Sequence, residues 1–506
     1  MRSWRSRWLL AFSAFSSLLL FSGCMELSSR QDYGATEIRK DYRAIQISPH
    51  DYETIEHRQA GPAANEAAPP LDGLAPAEIP IDLPTVLRLA GTDALEVRLA
   101  GERVNEARGR TLAADMQFLP SISPAFVNRW HNGRAQTVQG TFIEVDKQSS
   151  LQGVGAAADW RLGESVFQSL AARKRQEASE NNARATADDS RIRAANAFFN
   201  LVLARADLAI VDDRLKQADE TVRLTEELQK GGAALLSEVR RSQATRAEIK
   251  QRRAGAKERV RTASLNLTEA LHIDPLVTLT PQQEPQDMVA LIPAEKTLPD
   301  LVSDAISRRP ELSESRAFWN ALDKERRASL IAPLIPTIHA DAFGGSLGRH
   351  PSDAHGTADY TLGLQWKIGV GGIGDVSRTR IAEAQQRQEE IRFARVADRV
   401  AREVVENKTH LETTREQIDL SKEEIAAADE ALRLSSERLK AGSALTIEVL
   451  AAEDALFGAK SRAAQSVTEF NKAQYGLLRS IGGFRASDDT VGNQDVTAPA
   501  RSEPKP

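Results

Sequence analysis

The sequence is short of most of what a large globular domain is built from. Its 506 residues contain one cysteine, Cys24, so no disulfide can form within a chain. Aromatic residues make up 5%, too few for several conventional cores, whose burial they usually dominate. An excess of one charge is missing too. Lys and Arg number 66 against 71 Asp and Glu, and the net −5 leaves no broad basic surface, so nucleic acid is not expected as a partner. Beyond the N-terminal segment no run of about 20 apolar residues occurs, and no transmembrane helix is expected there. Glycine and proline are absent from two very long stretches, 164–230 and 376–440. Globular helices usually run about 8–20 residues, so two uninterrupted stretches of that length point away from ordinary domains. Ala, Arg, Glu and Leu are abundant, the composition of long helices and coiled coils.

The N-terminus reads as a targeting segment: Arg2, Arg5 and Arg7, then an uncharged apolar region from Trp8 to Phe21 that is short for a membrane span. It ends in FSGC, which resembles a bacterial lipoprotein signal, with Phe21 where Leu is commoner. That resemblance implies a signal peptide over 1–23 and lipidation of Cys24; Met25 stands where an Asp would resemble an inner-membrane retention signal. Residues 24–81 are polar and then Ala/Pro-rich, an extended tether with little structure.

From about 82 the chain is a tandem repeat, 82–275 and 299–484, joined by a linker at 276–298 and followed by a disordered tail at 485–506. Residues 223–239, RLTEELQKGGAALLSEV, align with 433–449, RLSSERLKAGSALTIEV. Each half predicts the same order. A helical segment (85–118; 299–333) ends near a proline, in FLPSIS or LIPTIH. An alternating, Gly-rich region follows, then the long helix, a break at Gly232 or Gly442, and a closing helix (236–271; 446–480). The long helices carry a seven-residue stripe: Leu201, Leu208, Leu215, Val222 in the first and Val404, Leu411, Ile418, Ile425, Leu432, Leu439 in the second. Companions three positions on are mostly small, Ala204, Ala218, Thr225 and Thr414, Ser421, Ala428, Ser435. A strict seven-residue repeat predicts coiled-coil packing, and small companions admit a close neighbour. A helix of about 65 residues is ~100 Å long and one of about 35 is ~50 Å, so two short helices stacked end to end match one long one. The glycine breaks are therefore expected to be hairpin tips.

The regions between helices predict four strands, 121–131, 152–162, 337–346 and 360–370, with polar loops at 132–148 and 347–358. In the last strand Tyr360, Leu362, Leu364, Trp366, Ile368 and Val370 share one face; Val154, Ala156, Ala158, Trp160 and Leu162 do so in the second. About ten residues is the length of a tilted strand crossing a bilayer. Four strands cannot close a barrel, whose smallest membrane form has about 8, and open edges cannot face lipid, so other copies of the chain must complete the sheet.

The two-fold repeat, the FLP and LIP junctions, the strand ends DWRLG and QWKIG, and the tips KGGAALLSEV and KAGSALTIEV together resemble the TolC-like outer-membrane efflux family over about residues 82–484. The resemblance implies a mainly α fold with a membrane β part: long antiparallel coiled-coil helices plus four strands per chain in a twelve-stranded trimeric β-barrel. It implies a homotrimer in outer-membrane lipid, with a periplasmic membrane-fusion adaptor and an inner-membrane pump as partners. The expected function is the passive exit duct of a tripartite efflux pump or type I secretion system, without enzymatic activity, cofactor or metal. The alternative is a structural periplasmic coiled-coil lipoprotein scaffold without a channel. Gly232 and Gly442 are the candidate adaptor-docking tips.

Glu238 and Glu448 each lie six residues after a tip glycine. The family commonly has an acid there, and acids near the second tip narrow its entrance, so Glu448 is the candidate constriction and Glu238 is expected to face more outward. Other constriction positions depart from the family: Ala451 where a second acid occurs, Leu439 and Ala444 where Tyr and Arg occur, with Glu453 and Asp454 rotated round the helix. A first-turn Glu is also what the helix dipole favours. GVGGIG at 369–374 matches a dinucleotide fingerprint, but the strand before it alternates and the helix after it is too long for a βαβ unit. His350 and His355 share a polar loop, read as solvated surface rather than a metal site.

Overall fold

A computed structural model describes residues 78–293, 296–366 and 373–484. The signal segment, Cys24, most of the tether, the tail, Ile368, Val370 and the glycines of 369–372 lie outside these residues. One compact unit holds 78–272 and the described residues from 278 on; Ile273–Val277 fall in a second unit and form a turn in which the Leu276 N–H donates to Asp274 Oδ1 at 2.8 Å.

The first unit begins with β1 (Glu78–Ile81), which pairs in parallel with β4 (Thr278–Pro281). The end of the expected tether and part of the linker are thus structured, because Ile81 and Leu279 bury their side chains there. Helix α1 (Leu83–Thr92) starts at Asp82, whose carboxylate accepts from the Thr85 N–H at 3.3 Å, and α2 (Leu95–Asp115) follows. Their equivalents in the second repeat are α5 (Leu298–Arg308) and α6 (Pro310–Ile331). Each segment expected as one helix is therefore two. In the second repeat Pro310 supplies the reason: it lacks an N–H and forces Arg309 out of helical geometry, to ψ 127°.

The long helices are α3 (Leu162–Lys230) and α7 (Ile373–Lys440); α4 (Leu236–Leu271) and α8 (Thr446–Ser480) close the two halves. The stripes are buried as the repeat predicts. Leu201, Val222, Val404, Ile418 and Leu439 are sealed, as are the small companions Ala218, Thr225, Thr414 and Ser421. Each hairpin has its own apolar seam, with Val211, Ala218, Ile249 and Ala256 in the first, and Ala428, Leu456 and Ala459 in the second. In the half nearest the tips the packing order is α4, α3, α8, α7; in the other half it is α2, α3, α6, α7. A stretch of α3 is long and apolar enough to cross a membrane by composition alone, but half of it is buried within the chain, as in a core helix. Its Phe199 ring lies 5.8 Å from that of Tyr475 on α8.

The four remaining strands are β2 (Ser121–Gln136), β3 (Phe142–Trp160), β5 (Thr337–Gly348) and β6 (His355–Gln365). They form one antiparallel sheet in the order β2-β3-β5-β6. The first hairpin is longer than expected, because polar residues of the expected loop 132–148 continue the backbone ladder up to a turn at 137–141. Backbone pairing does not depend on side-chain polarity, and the turn closes only where Gly140 supplies φ +86°.

Candidate functional site

At the helix end of the sheet the two faces differ in polarity. Register places Ile122, Ala156, Ala342 and Tyr360 in one row, and Trp160, Ile338 and Leu364 in another, on the same face. That face is apolar and open: Tyr360 is 77% exposed, Leu362 78% and Phe126 64%. Apolar surface of this kind in adjacent strands calls for a covering medium. The opposite face carries Asp159, His339, Asp341, Thr361 and Gln365. His339 joins neighbouring strands there, with Nδ1 2.5 Å from Asp159 Oδ1 and Nε2 3.4 Å from Asp341 Oδ1. Trp160 anchors the helix end of the sheet by donating Nε1–H to the Phe118 carbonyl at 2.9 Å. An apolar outer face, a polar inner face and interfacial tryptophans make up the pattern of a membrane barrel wall.

At the far ends of the long helices the two tips are built alike. Gly232 has φ 76° and Gly442 φ 68°, the left-handed conformation that ends a helix. Ala233 N–H donates to the Leu228 carbonyl at 2.8 Å, and Ser443 N–H to that of Arg438 at 2.9 Å. Open space surrounds both glycines, so their conformation, not crowding, selects them. Glu448 is exposed and pairs with Arg438 at 3.2 Å, across its own hairpin. Glu238 is half-buried and accepts from Thr446 Oγ1 at 3.4 Å, at the start of the helix after the second tip. A short β-hydroxyl at the neighbouring helix start gives it a partner that sequence spacing did not reveal.

Two charged clusters were not singled out from the sequence. Near the tips Arg214 of α3 pairs with Glu453 and Asp454 of α8, and Thr221 Oγ1 donates to Glu453 at 2.6 Å. The signal was there: Arg214 and Thr221 are seven residues apart and flank the apolar stripe. Further up, Arg309 contacts Glu311 at 2.8 Å and Glu403 at 2.9 Å, while Arg479 reaches Glu311 at 2.8 Å, Glu403 at 3.1 Å and also Asp189. Burial pulls the Glu311 carboxyl up, but its bonds and charge contacts with Arg309 and Arg479 outweigh that and hold it below the usual range. Burial pushes Asp188 and Glu314 up, against the pull of Arg191 and Asn182 respectively. These groups brace α3, α6, α7 and α8 together.

Gly369, Gly371 and Gly372 of GVGGIG precede α7 and Gly374 falls within it, but the strand ahead of them belongs to an antiparallel sheet. A dinucleotide fingerprint needs a parallel βαβ frame. His350 sits at a turn where its N–H donates to Asp353 Oδ1 at 2.6 Å, and His355 opens β6.

Comparison with known proteins agrees with this geometry. The model of the family described as outer membrane efflux protein matches residues 301–483. The chain is 23% identical over 416 residues to the pyoverdine export outer membrane protein OpmQ of Pseudomonas aeruginosa, covering 80% of this chain and 86% of that one. Its fold is similar to that of a membrane protein from Pseudomonas aeruginosa, with a TM-score of 0.70 at 18% identity, covering 79% of this chain and 93% of the other. It is also similar to the outer-membrane channel OprN, with a TM-score of 0.69 at 17% identity, covering 79% and 90%.

Proposed function

We propose that this chain, an outer-membrane efflux protein with a TolC-like fold, is one third of a passive exit duct that carries solutes from the periplasm to the outside. The observation that carries the reading is the four-stranded sheet with an apolar open face and a polar opposite face. Within the chain its edges β2 and β6 pair with no further strand among the described residues. Unpaired edges cost several kcal/mol per backbone group in lipid, and three copies would supply twelve strands, above the minimum of about 8 for a membrane barrel.

The helices then extend from the barrel into the periplasm, and the tips at Gly232 and Gly442 are the surfaces we assign to an adaptor bound to an inner-membrane pump. Glu448 is assigned to the entrance, because it is exposed at the second tip and three copies would converge there. We further assign Cys24 as the lipidated N-terminus of the mature chain, following a signal peptide over 1–23. The duct acts by shape and charge, with no chemical step of its own.

The test is assembly and conductance of the purified chain. Native mass spectrometry in detergent is expected to give three chains per particle, and planar bilayers to give discrete channels. A monomer that leaves bilayers silent would overturn the reading and favour a scaffold.

A further inference from the structure

In the tip half of the first unit, α4 and α7 are the outer helices of the packing order, and each leaves one face without a packed helix among the described residues. These faces differ in charge. Residues 236–271 carry nine Lys and Arg against four Glu, whereas 403–440 carry six Lys and Arg against ten Asp and Glu.

Most of these charges are already paired inside the protomer, as with Arg246 and Asp219, Arg253 and Asp212, Arg462 and Glu424, and Arg433 and Glu430. Several exposed charges take no partner among the described residues, Arg241, Glu258 and Asp429 among them; of these, Lys250 and Lys257 on α4 and Glu416 and Glu423 on α7 form two matched pairs. Each pair is spaced seven residues apart, so each lies in one line along its helix. Small or apolar exposed residues fill the lines between them, Ala254 on α4 and Leu420 on α7. Both lines lie well round the helix from the buried seams at Ile249 and Ile418.

Distances from the tips also agree. Lys250 follows Gly232 by 18 residues, and Glu423 precedes Gly442 by 19. Lys257 follows by 25, and Glu416 precedes by 26. At 1.5 Å per residue the first pair stands about 27–29 Å from the tips and the second about 38–39 Å. The helices run in opposite senses, α4 away from its tip and α7 toward its own, so both pairs can meet at once.

We infer that α4 of one copy docks on α7 of the next, with Lys250 facing Glu423 and Lys257 facing Glu416. The occupant of each face is a second copy of this chain, and the contact is heterologous, the kind that closes into a ring for the three copies of the proposed duct. This rests on the oligomeric duct reading and adds its register. A slip of four residues one way sets the cations against Ala427 and Leu420, and the other way against Asp419 and Glu412, which Lys422 and Lys408 already neutralise. The seam is polar and wettable, so it weakens as salt screens it.

Cross-linking tests it. Cys24 is the only native cysteine, so the unaltered chain is the blank. The Lys250→Cys/Glu423→Cys chain, purified and treated with a short bismaleimide, is expected to give covalent species of two and three chains. The Lys250→Cys/Glu416→Cys control, displaced by about 10 Å along the helix, is expected to give none. In parallel, Lys250→Glu/Lys257→Glu should lower the temperature at which trimers dissociate, and adding Glu416→Lys/Glu423→Lys should restore it. Intact trimers without the cross-link, or a cross-link from these positions only to a different protein in whole cells, would overturn the seam while leaving the duct standing. A monomeric unaltered chain would overturn the duct reading itself.

Discussion

Arg214 of the first repeat and Glu453 of the second form an ion pair from which solvent is excluded, with each side chain 3% exposed. The apolar cluster of the first hairpin takes in Phe457 from the second, and beside that contact this pair is a polar pin between the hairpins. Cavities flank it: about 330 Å³ lined by Thr221, Leu432 and Glu453, and about 170 Å³ lined by Val211, Arg259 and Phe457. Removing one member of a buried pair strands the other, at about 3–5 kcal/mol. Glu453→Ala is therefore expected to lower the thermal midpoint of the helical circular dichroism signal strongly. Arg214→Met/Glu453→Leu, which removes both charges, should recover most of the loss. Equal midpoints for Glu453→Ala and the unaltered protein would show that the pin contributes nothing to holding the hairpins together.

The tip glycines carry a second expectation. With open space around both, a side chain there meets only the backbone's own resistance to positive φ, about 1–2 kcal/mol for a non-glycine residue. Gly232→Val and Gly442→Val should distort the tips, keep trimers and lose efflux in a cell-based export assay. Gly442→Asn, which tolerates the left-handed conformation, should retain most of it. Normal efflux in both valine variants would remove the tips from the docking surface.

Acid should loosen the brace around Arg309 and Arg479. Glu311 titrates below its ordinary value when folded, so its contribution is complete above the unfolded value near 4.3 and is lost as pH falls through the folded one. Asp188 and Glu314 have the opposite sign: their folded values are raised, so they give up stability as pH rises through them toward neutrality. The denaturant midpoint is thus expected to rise slightly on mild acidification and then drop below about pH 4. Glu311→Gln should flatten that last drop, and an unchanged acid limb would place the loss elsewhere.

The helices were legible because a seven-residue stripe running through Leu411 and Ile418 leaves one solution, whereas partners off the stripe were not. Both closing helices begin and end where the sequence places them, since Gly232 and Gly442 mark one end unambiguously. The break before Pro310 was written in the sequence but obscured by the amphipathic pattern continuing across it. Strand lengths in the first hairpin were not readable, because a polar ladder residue such as Asn132 looks like loop. The orientation of Glu238 depends on Thr446, 208 residues away, a distance over which spacing carries no information.

Cys24 supplies a fourth prediction. On the reading proposed above, Cys24 accepts a fatty acyl chain, so Cys24→Ser is expected to abolish labelling by a radioactive fatty acid. Trimers should still form, since a barrel anchors itself in lipid. Labelling that persists in the variant would rule out lipidation at this residue.

The last prediction concerns the entrance. Glu448 and Glu238 occupy equivalent positions after their tip glycines, yet their surroundings differ. Glu448 is exposed with Arg438 beside it, whereas Glu238 is half-buried against Thr446. If the second tip lines the pore, three copies of Glu448 meet in one aqueous opening, and their summed potential concentrates cations there. Arg438 moderates that field within each chain, so the bias should be modest in the unaltered protein. Arg438→Ala should strengthen it, and Glu448→Lys should reduce or invert it. Glu238→Lys should leave selectivity nearly unchanged while disturbing the contact between tips. The measurement is the reversal potential of single channels in a salt gradient. Identical values for Glu448→Lys, Arg438→Ala and the unaltered trimer would make Glu448 an ordinary first-turn acid held by the helix dipole, and would place the entrance at other residues.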